Sequence, residues 1–512
     1  MNKSFATYTQ ENRGRALLLF LLFGLAIYQF VNAGFSAFAM VCMTPFIVLA
    51  IYAAFTWRMT AFWLLFIINY TVMFFGKQQM LPNGIPTSLY NELLELLLIG
   101  IAIVDAREEP KFERTANLML YALIAWCMYC TLEVFNDTCD LGINVANWYS
   151  GARLMAFQLL YIFIVFSLYI STPKILHQYL WVWAICCLFS VFWTWKQQKI
   201  GLTHSEAVWM DTIGRATHLV NGITRYFSTF NDAATYGCNA AAAAVAFFIF
   251  SITTKIKKDR YFFMITAALI VWGMFASGTR TAIACLFAGI MVYVVLSKSV
   301  KIAVSVLILS SIGIFFLAFT NIGQGNAQIR RMRSAFNRND ASANVRTINQ
   351  AAIRKYIQDA PWGIGIGTNY QNVPANNKFR KLSTIPPDSE YVYIWVHAGP
   401  IGITTFIITM LLMLGGACYV TMFRIKSRSL MGIGAGFTSA FVAIQLGGYA
   451  NQILMQFPNA LIFYGGLSIV YILPYIEKEW VELEEKRFAD QQERERLKLE
   501  KKKLRECKQV EN

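Results

Sequence analysis

The chain has 512 residues, of which 56% are hydrophobic, 15% aromatic and 14% charged, and its formal net charge is +16 at pH 7. A soluble domain carries about 25% charged residues, so this composition excludes an ordinary soluble enzyme, a disordered protein and a disulfide-stabilised scaffold. Uncharged apolar runs of about 18 residues are long enough to cross the hydrocarbon core of a bilayer. The composition therefore predicts an all-α, polytopic integral membrane protein.

Fourteen apolar runs are predicted to be transmembrane helices. They lie at 16–32, 37–55, 60–76, 88–104, 116–134, 154–170, 176–194, 235–252, 261–276, 281–297, 302–320, 391–421, 430–449 and 456–475. The chain then has four predicted regions. These are 1–320 with helices 1–11 and an outer loop near 195–234, a large outer loop containing short helices at 321–390, helices 12–14 at 391–475, and a charged tail at 476–512.

The distribution of Lys and Arg predicts the orientation. If the N-terminus is cytoplasmic, the short outer loops hold only Lys77, Arg153 and Arg280, whereas the cytoplasmic connections are rich in basic residues. Basic residues in short loops favour the cytoplasmic side, and long loops are largely exempt from this rule. Both termini are therefore predicted to be cytoplasmic, and both large loops are predicted to lie on the outer side.

The tail alternates acidic and basic residues, as at 493–496. This pattern predicts a solvated, salt-bridged helix or a disordered end, with an interaction surface as the alternative. Elsewhere the basic excess is spread over many loops, so nucleic acid is not a predicted partner. Cys127 and Cys130 form a C-x-x-C, but they lie within a membrane-length segment and have no second pair. No histidine spacing is typical of a metal site either, so no metal and no cofactor are predicted.

Two acidic residues, Glu92 and Glu95, fall in the outer half of the fourth predicted span. A charge within a membrane costs roughly 2.5–3.5 kcal/mol on insertion scales, so such residues are informative. Their i, i+3 spacing places them on one helical face. We predict either ion pairs with Arg153 or Arg280, or a role in substrate binding. The other spans are nearly free of charge, which disfavours an ion-coupled transporter.

The large loop at 321–390 is strongly basic. Arginines cluster at 330–333, and an amphipathic helix containing Arg346 and Arg354 is predicted at 344–358. Guanidinium groups bind phosphate oxygens bidentately. Arg346 and Arg354 are therefore candidate ligands of a phosphate or pyrophosphate.

A glycine run follows that helix at Gly363, Gly365 and Gly367. Glycine lets the backbone approach a ligand closely, and successive N–H groups can bind an anion. The three glycines are therefore also candidate substrate-binding residues, with a simple chain turn as the alternative.

Three parts of the chain together resemble the O-antigen ligase and polymerase superfamily, which includes the Wzy-type polysaccharide polymerases. They are 225–237, 277–282, and the stretch from Arg346 through 361–367 and 387–391 to 399–402. Ser228 and Ala233 stand where the family usually has Gly and Pro. Ligases of the superfamily typically have a His where this chain has Asp388, which favours a polymerase.

The resemblance implies a metal-independent glycosyltransferase at the outer face of the cytoplasmic (inner) membrane. It would polymerise undecaprenyl-pyrophosphate-linked oligosaccharide repeats into O-antigen, capsule or exopolysaccharide, alongside a chain-length regulator and a flippase. Arg225 and Arg280 would stabilise the pyrophosphate leaving group, with Arg346 and Arg354 in support. Asp388 would be the general base, and Glu390 is the second candidate.

Three alternatives remain open. A ligase would transfer the finished glycan from undecaprenyl pyrophosphate to lipid A-core or to a protein. A transporter would move lipid-linked glycans without forming a bond. A scaffold for an assembly machine would use the charged tail and would not need the arginines of the outer loops.

Overall fold

A computed structural model describes residues 13–33, 48–80, 87–104, 112–220, 222–325, 327–333, 341–368 and 373–510. These residues are almost entirely helical, which confirms the all-α prediction. The chain divides into two compact units, 1–64 and 65–512. The first unit contains helix α1 (Arg13–Ala33), helical residues 48–56 and the start of α2 (Arg58–Lys77).

The second unit begins within α2 and contains the remaining elements. Up to the loop near 219–224 its helices are α3 (Thr87–Val104), α4 (Leu118–Leu132), α5 (Val145–Ala152), α6 (Gln158–Tyr169), α7 (Pro173–Lys199), α8 (His204–Trp209) and α9 (Arg215–His218). Two two-residue strands, β1 (Leu219–Val220) and β2 (Ile223–Thr224), then form an antiparallel hairpin that pairs Leu219 with Thr224.

Beyond the hairpin the chain is again helical. The helices are α10 (Ala233–Thr253), α11 (Lys257–Ala276), α12 (Arg280–Leu296), α13 (Val300–Phe319), α14 (Ala327–Arg333), α15 (Ala341–Ile357), α16 (Glu390–Tyr419), α17 (Arg428–Ala450) and α18 (Gly465–Val510). Short π-helical turns occupy Arg153–Phe157, Met210–Gly214, Val420–Arg424 and Ala460–Tyr464, and 3₁₀ turns occupy Phe112–Thr115, Glu133–Phe135 and Lys378–Thr384.

Within the described residues, nine helices are long and apolar enough to cross a membrane, which agrees with a multi-pass membrane protein. They are Arg58–Lys77, Leu118–Phe135, Val145–Tyr169, Pro173–Lys199, Ala233–Thr253, Lys257–Ala276, Glu390–Arg424, Arg428–Ala450 and Ala460–Lys501.

The count is lower than the fourteen predicted spans. The predicted spans at 281–297 and 302–320 coincide with apolar helices whose qualifying stretches are shorter, Arg280–Leu296 and Val304–Phe316. Those at 16–32 and 88–104 coincide with α1 and α3. The span predicted at 37–55 lies partly outside the described residues.

Helix α10 lies at the centre of the second unit, packed against α11, α12 and α17. Of the most apolar 18-residue stretch of α10, 89% of the residues are buried. The middle of the helix is a run of alanines at 240–244. Small residues allow helix backbones to approach closely in a membrane protein, where apolar burial alone does not drive association. On α17, a Cβ at Gly432 would lie 2.0 Å from Thr253 Oγ1, so only glycine fits there. This close packing fixes the position of the C-terminal end of α10.

One end of the bundle gathers the segments that carried the family resemblance, and we call it the arginine end. Thr279 Oγ1, before α12, donates to Ala233 O at the start of α10, at 2.7 Å. Ser389 Oγ, before α16, donates to Gly448 O near the end of α17, at 3.1 Å. The starts of α10, α12 and α16 and the ends of α11 and α17 therefore belong to this end.

At the opposite end, the tail continues α18 without a break to Val510, which confirms the predicted helix. Its first part is not simply solvated. Glu477 accepts hydrogen bonds from the backbone N–H groups of Lys426 and Ser427, at 2.7 and 2.6 Å. Arg487 pairs with the buried Asp259 at 3.0 Å. The tail helix is therefore held against the first turn of α11 and the loop that precedes α17.

The helix predicted at 344–358 is α15, and its buried apolar residues lie in its second half. Ile353 and Ile357 are fully buried in a small core with Phe379, whereas Val345 and Ile348 are 52% and 67% exposed. The apolar side chains of α15 therefore pack against the protein only in its second half.

Candidate functional site

Arg225 follows the β1–β2 hairpin and points toward the start of α12. Its Nη1 donates to Thr217 O at 2.8 Å and its Nη2 to Thr279 Oγ1 at 3.0 Å. Its buried Nε–H has no hydrogen-bond partner among the described residues. Burial lowers the pKa of Arg225 below its usual value; the charge of Asp232 opposes this, whereas the positive charges of Arg280 and Arg346 act in the same direction as burial. The guanidinium thus keeps an unused donor within electrostatic reach of two other arginines.

A second arginine meets Arg225 at Gly278. Arg331 Nε, on α14, donates to Gly278 O at 2.7 Å. A Cβ at Gly278 would lie 3.0 Å from Arg331 Cδ and 3.3 Å from Arg225 Cγ. The φ of Gly278 is +59°, a conformation that favours glycine. The side chains of Arg225 and Arg331 therefore converge on one turn, although they are far apart in the sequence.

The other predicted arginines differ in burial and in their distance from Arg225. Arg280 begins α12 and Arg346 lies on α15; both are half-buried, and both act electrostatically on Arg225. Arg354 is exposed, and no contact found in the described residues joins its side chain to the group. Arg225, Arg280, Arg331 and Arg346 are called the arginine cluster below. The sequence does not single out Arg331 as a site residue, because it is one of several arginines in the basic run at 330–333.

The loop that carries Arg225 is anchored by a neutral histidine. His218 Nε2 accepts from the N–H of Ala233, at 3.1 Å, and Nδ1 lies 3.1 Å from Gly214 O. The first contact requires a lone pair on Nε2 and the second a proton on Nδ1, so the ring is neutral. Burial lowers the pKa of His218 to about 4, assisted by the charges of Lys77 and Arg225.

Lys77 holds the same loop from the other side. Its ammonium donates to Phe230 O at 2.9 Å and lies 3.7 Å from the ring centroids of both Trp209 and Phe227. A cation over aromatic faces is attracted by the ring quadrupoles, more strongly where water is excluded. Asp232 then caps α10, accepting from the N–H of Ala234 at 2.7 Å. Arg225 therefore sits on a fixed loop.

An apolar cavity of about 860 Å³ lies between α11, α12, α13 and α14. Its wall includes Ala276, Ile283 and Ile329, which are close in sequence to Gly278, Arg280 and Arg331 respectively. The rest of the wall is largely aromatic and aliphatic, as at Trp272 and Phe316. Cationic groups and an apolar cavity thus adjoin at the arginine end.

The two candidate bases have different surroundings. Asp388 is half-buried, and its Oδ2 accepts from Asn349 Nδ2 at 2.9 Å. Asn349 and Arg346 are three residues apart on α15, so they share a helix face. Glu390 is only 4% exposed, and its Oε2 accepts from the N–H of Leu454 at 3.0 Å. Asp388 thus adjoins the arginine-bearing helix, whereas Glu390 holds the backbone turn after α17.

The glycine run packs against other backbone. Gly363, Gly365 and Gly367 have φ values of +76°, +93° and +75°. The N–H of Gly365 donates to His397 O at 3.1 Å, and that of Ile364 donates to Val396 O at 3.0 Å. A Cβ at Gly367 would lie 1.9 Å from Asn147 O. The N–H groups of Ile364 and Gly365 are therefore already hydrogen-bonded within the protein. The positive φ values and the close approach of neighbouring backbone explain why glycine stands at these three positions.

Glu92 and Glu95 lie on α3, and none of their described contacts reaches the arginine cluster. Glu92 Oε2 pairs with Arg153 Nη1 at 2.8 Å, and the hydroxyl of Tyr149 donates to its other oxygen. Arg153 is one of the two partners predicted for this pair. Glu95 is fully buried beside Gln158, and its carboxylate makes no hydrogen bond with any described residue.

Residues 265–407 match the Wzy_C family model, which is described as O-antigen ligase. The matched segment includes Gly278, Arg280, Arg331, Arg346 and Asp388, whereas Arg225 lies outside it. The match confirms the resemblance that the sequence motifs predicted. A comparison with curated proteins finds no match.

Proposed function

We propose that this chain, which matches the O-antigen ligase family model over residues 265–407, polymerises lipid-linked oligosaccharide repeats. The donor is a glycan on undecaprenyl pyrophosphate, and the acceptor is a sugar hydroxyl of a second repeat unit. The product is O-antigen, capsule or exopolysaccharide.

The observation that carries this proposal is the junction of the arginine cluster with the apolar cavity. A lipid pyrophosphate has an anionic group joined to a long hydrocarbon chain, and the two parts of the site match these two chemistries. Guanidinium groups bind phosphate oxygens through paired N–H donors. Each charge-assisted hydrogen bond contributes about 1.5–3 kcal/mol. The buried, unpartnered Nε of Arg225 is one donor available for this purpose.

In the proposed reaction, the acceptor hydroxyl oxygen attacks the anomeric carbon of the donor sugar. The bond from that carbon to the pyrophosphate oxygen breaks, and the lipid pyrophosphate leaves with the electron pair. Arg225, Arg280 and Arg331 stabilise the negative charge that develops, which lowers the barrier because fixed donors need no reorganisation. The carboxylate of Asp388, oriented by Asn349, receives the hydroxyl proton.

We further propose that the arginines neutralise the pyrophosphate without a metal ion. We also propose that the arginine end lies at the outer face of the cytoplasmic membrane, with both termini in the cytoplasm. In this arrangement a flippase supplies the substrate and a chain-length regulator acts on the product. Addition of EDTA to a working assay should leave the rate unchanged, and inhibition that Mg²⁺ reverses would refute metal independence.

The second candidate function is that of a ligase, and the description of the matched family favours it. The reacting bonds are the same, but the acceptor is lipid A-core or a protein. Asp388 stands where the resemblance places a His in ligases, and this difference supports the polymerase.

The test is to incubate purified protein in lipid nanodiscs with lipid-linked repeat units. The polymerase reaction lengthens the chains and releases one lipid pyrophosphate for each glycosidic bond that forms. Transfer only when lipid A-core is added indicates the ligase. A protein in liposomes that moves the substrate across the bilayer without forming a bond is a transporter, which would refute both.

A further inference from the structure

A group of basic side chains lies at the end of the bundle opposite the arginine cluster, where the turn between α12 and α13 meets the loop between α16 and α17. Lys298 Nζ donates to Met422 O across this junction at 2.7 Å, and Met422 packs on the core that contains Leu296. Arg428 lies close enough to Tyr293 of α12 for its charge to act on that side chain. The turn and the loop therefore form one continuous surface.

We call this group the basic patch. Its five members are all exposed, and they are Lys298, Lys301, Arg424, Lys426 and Arg428. The two segments that carry them, 297–301 and 419–428, contain no acidic residue. Among the described residues, no acidic side chain forms an ion pair with any of the five. Glu477 contacts the loop, but its hydrogen bonds are to the backbone N–H groups of Lys426 and Ser427. The basic patch therefore carries a net positive charge.

Basic residues elsewhere at this end are paired with acidic ones inside the protein. Around the first turn of α11, Lys257 pairs with Glu495 of the tail at 2.9 Å. Arg487 of the tail pairs with Asp259 at 3.0 Å. The tail thus neutralises charge beside α11, whereas in the described parts of the chain it forms no ion pair with the basic patch. The charge of the basic patch is therefore available to an anion from outside the chain.

Exposed apolar side chains lie directly beside the basic patch. Tyr419 and Phe423 are 56% and 64% exposed, and their ring centroids are 5.6 Å apart. The ammonium of Lys298 lies 4.2 Å from the centroid of the Phe423 ring. Val295 and Val300, at the adjoining ends of α12 and α13, are also exposed. In a protein that spans a membrane, such residues face the acyl chains, and aromatic residues are enriched where the acyl chains meet the headgroups.

The combination of charge and apolar surface selects the class of ligand. An anionic phospholipid has a phosphodiester group joined to acyl chains. Guanidinium groups bind phosphate oxygens through paired N–H donors, and basic surfaces between membrane helices bind anionic headgroups. A soluble anion would use only the charges, and an acidic protein would leave the apolar surface beside Phe423 to other lipids. A lipid matches both parts of the surface.

The basic patch is separate from the arginine cluster. Helix α12 runs between them, with Arg280 at its first residue and Lys298 two residues beyond its last. Its 17 residues span about 25 Å, at 1.5 Å per residue. A lipid whose pyrophosphate is held by the arginine cluster therefore does not place that group at the basic patch.

We propose that the basic patch binds the headgroup of an anionic phospholipid in the leaflet at this end, with the acyl chains of the lipid against Tyr419 and Phe423. Arg424 and Arg428 bind the phosphate, and Lys298 stays on the Phe423 ring and adds charge. The lipid is a bound component of the membrane and not a substrate.

The first test measures lipid binding to the delipidated full chain by native mass spectrometry. The probes are phosphatidylglycerol, which is anionic, and phosphatidylcholine, which is zwitterionic. The wild type should bind phosphatidylglycerol about tenfold more tightly, and Arg424→Gln/Arg428→Gln should remove this preference. Lys174→Gln/Lys258→Gln is the matched control, since these exposed lysines lie in the first turns of α7 and α11, which meet at the same end. Equal affinity of the wild type for both lipids, or an equal loss of preference in the control, would overturn the proposal.

The second test locates the lipid without removing a charge. Phe423→Trp adds a fluorophore beside the basic patch, and the protein is placed in nanodiscs that contain lipid with brominated acyl chains. Brominated phosphatidylglycerol should quench the added fluorescence more strongly than brominated phosphatidylcholine at the same mole fraction. Tyr261→Trp is the matched control, because Tyr261 is 64% exposed near the start of α11. Equal quenching by the two lipids at position 423, or relief of the quenching by soluble glycerol phosphate, would refute a lipid site.

The lipid site does not depend on the proposed reaction, because it requires only that the chain spans a membrane. If the protein prefers phosphatidylglycerol but never releases lipid pyrophosphate, the proposed function fails and the lipid site stands. If lipid pyrophosphate is released but the wild type shows no lipid preference, the lipid site fails and the proposed function stands.

Discussion

Arg225 donates a hydrogen bond to Thr279 Oγ1 at 3.0 Å, although the two residues are separated by 54 positions in the chain. Thr279 in turn donates to Ala233 O. Two of the segments that carry the family resemblance are thereby joined into one structure. The turn at Gly278 is held from both sides, by Arg225 through Thr279 and by Arg331 directly.

Arg280→Lys should leave the protein inserted but abolish long chains, because an ammonium cannot form the paired contacts of a guanidinium. We expect turnover to fall about 10²–10³-fold, as for loss of one preorganised donor. Chain-length ladders in cells and pyrophosphate release in vitro measure the effect. Arg260→Lys is the control, since Arg260 lies near the start of α11 at the opposite end. Normal ladders for Arg280→Lys would contradict the proposed role.

Gly278→Ala should disrupt the arginine cluster without removing an arginine. A residue with a Cβ is strained by roughly 1–2 kcal/mol at this positive φ. Its methyl group would also crowd Arg331 Cδ and Arg225 Cγ. Turnover should fall at least tenfold. Gly415→Ala on α16 is the matched control, because nothing lies within 4 Å of its Cβ position. Equal activity of the two variants would show that the convergence at Gly278 is not required.

Asp388→Asn and Glu390→Ala should have different effects. Asp388→Asn removes the proposed base, so kcat should fall while the Tm stays within about 1 °C. Glu390→Ala leaves the N–H of Leu454 unpaired and buried, which should cost about 1–3 kcal/mol of stability. Thermal unfolding in detergent and turnover of lipid-linked substrate separate these outcomes. Unchanged turnover for Asp388→Asn would remove it as the base.

The stability of the protein should fall on mild acidification because of His218. The pKa is about 4 in the folded protein, against the usual 6.5 in the unfolded chain. The unfolded chain therefore gains a proton first as the pH falls from 6.5 to 4, and stability decreases across this window by up to about 3 kcal/mol. His218→Gln keeps a donor and an acceptor but does not titrate. A Tm profile across this window that is the same in both proteins would contradict the assignment.

Arg153→Met should strongly destabilise the helices around α3. The Arg153 and Glu92 side chains are only 10% and 6% exposed, so the substitution leaves a buried carboxylate without its partner. Loss of one member of a buried pair costs about 3–5 kcal/mol. The double variant Arg153→Met/Glu92→Gln should recover part of the lost Tm. Equal Tm values for the single variant and the wild type would show that the pair is not important for stability.

The helices and part of the site follow from the sequence because their signals are local. Apolar runs mark α10 and α17, and the arginine motifs mark Arg225 and Arg280 as neighbours. Arg331 could not be selected from the basic run at 330–333, because only the fold shows which of those side chains reaches Gly278.

Other features depend on contacts between distant segments. The glycines at 363–367 predict a close approach of the backbone to a ligand, but in the fold they pack against α16 and the start of α5. Glu390 resembles a base by position, whereas the fold pairs it with the turn after α17. Sequence patterns identify such residues but do not reveal their partners.

The close packing of the glycine run limits how a long substrate can enter. With Gly363 and Gly367 wedged against neighbouring backbone, this part of the large loop cannot swing aside as a lid. Helix α14 is held as well, because Arg331 donates to Gly278 O, Arg333 donates to Ile322 O and Met332 is fully buried. A long substrate must therefore reach the arginine cluster without displacing either segment.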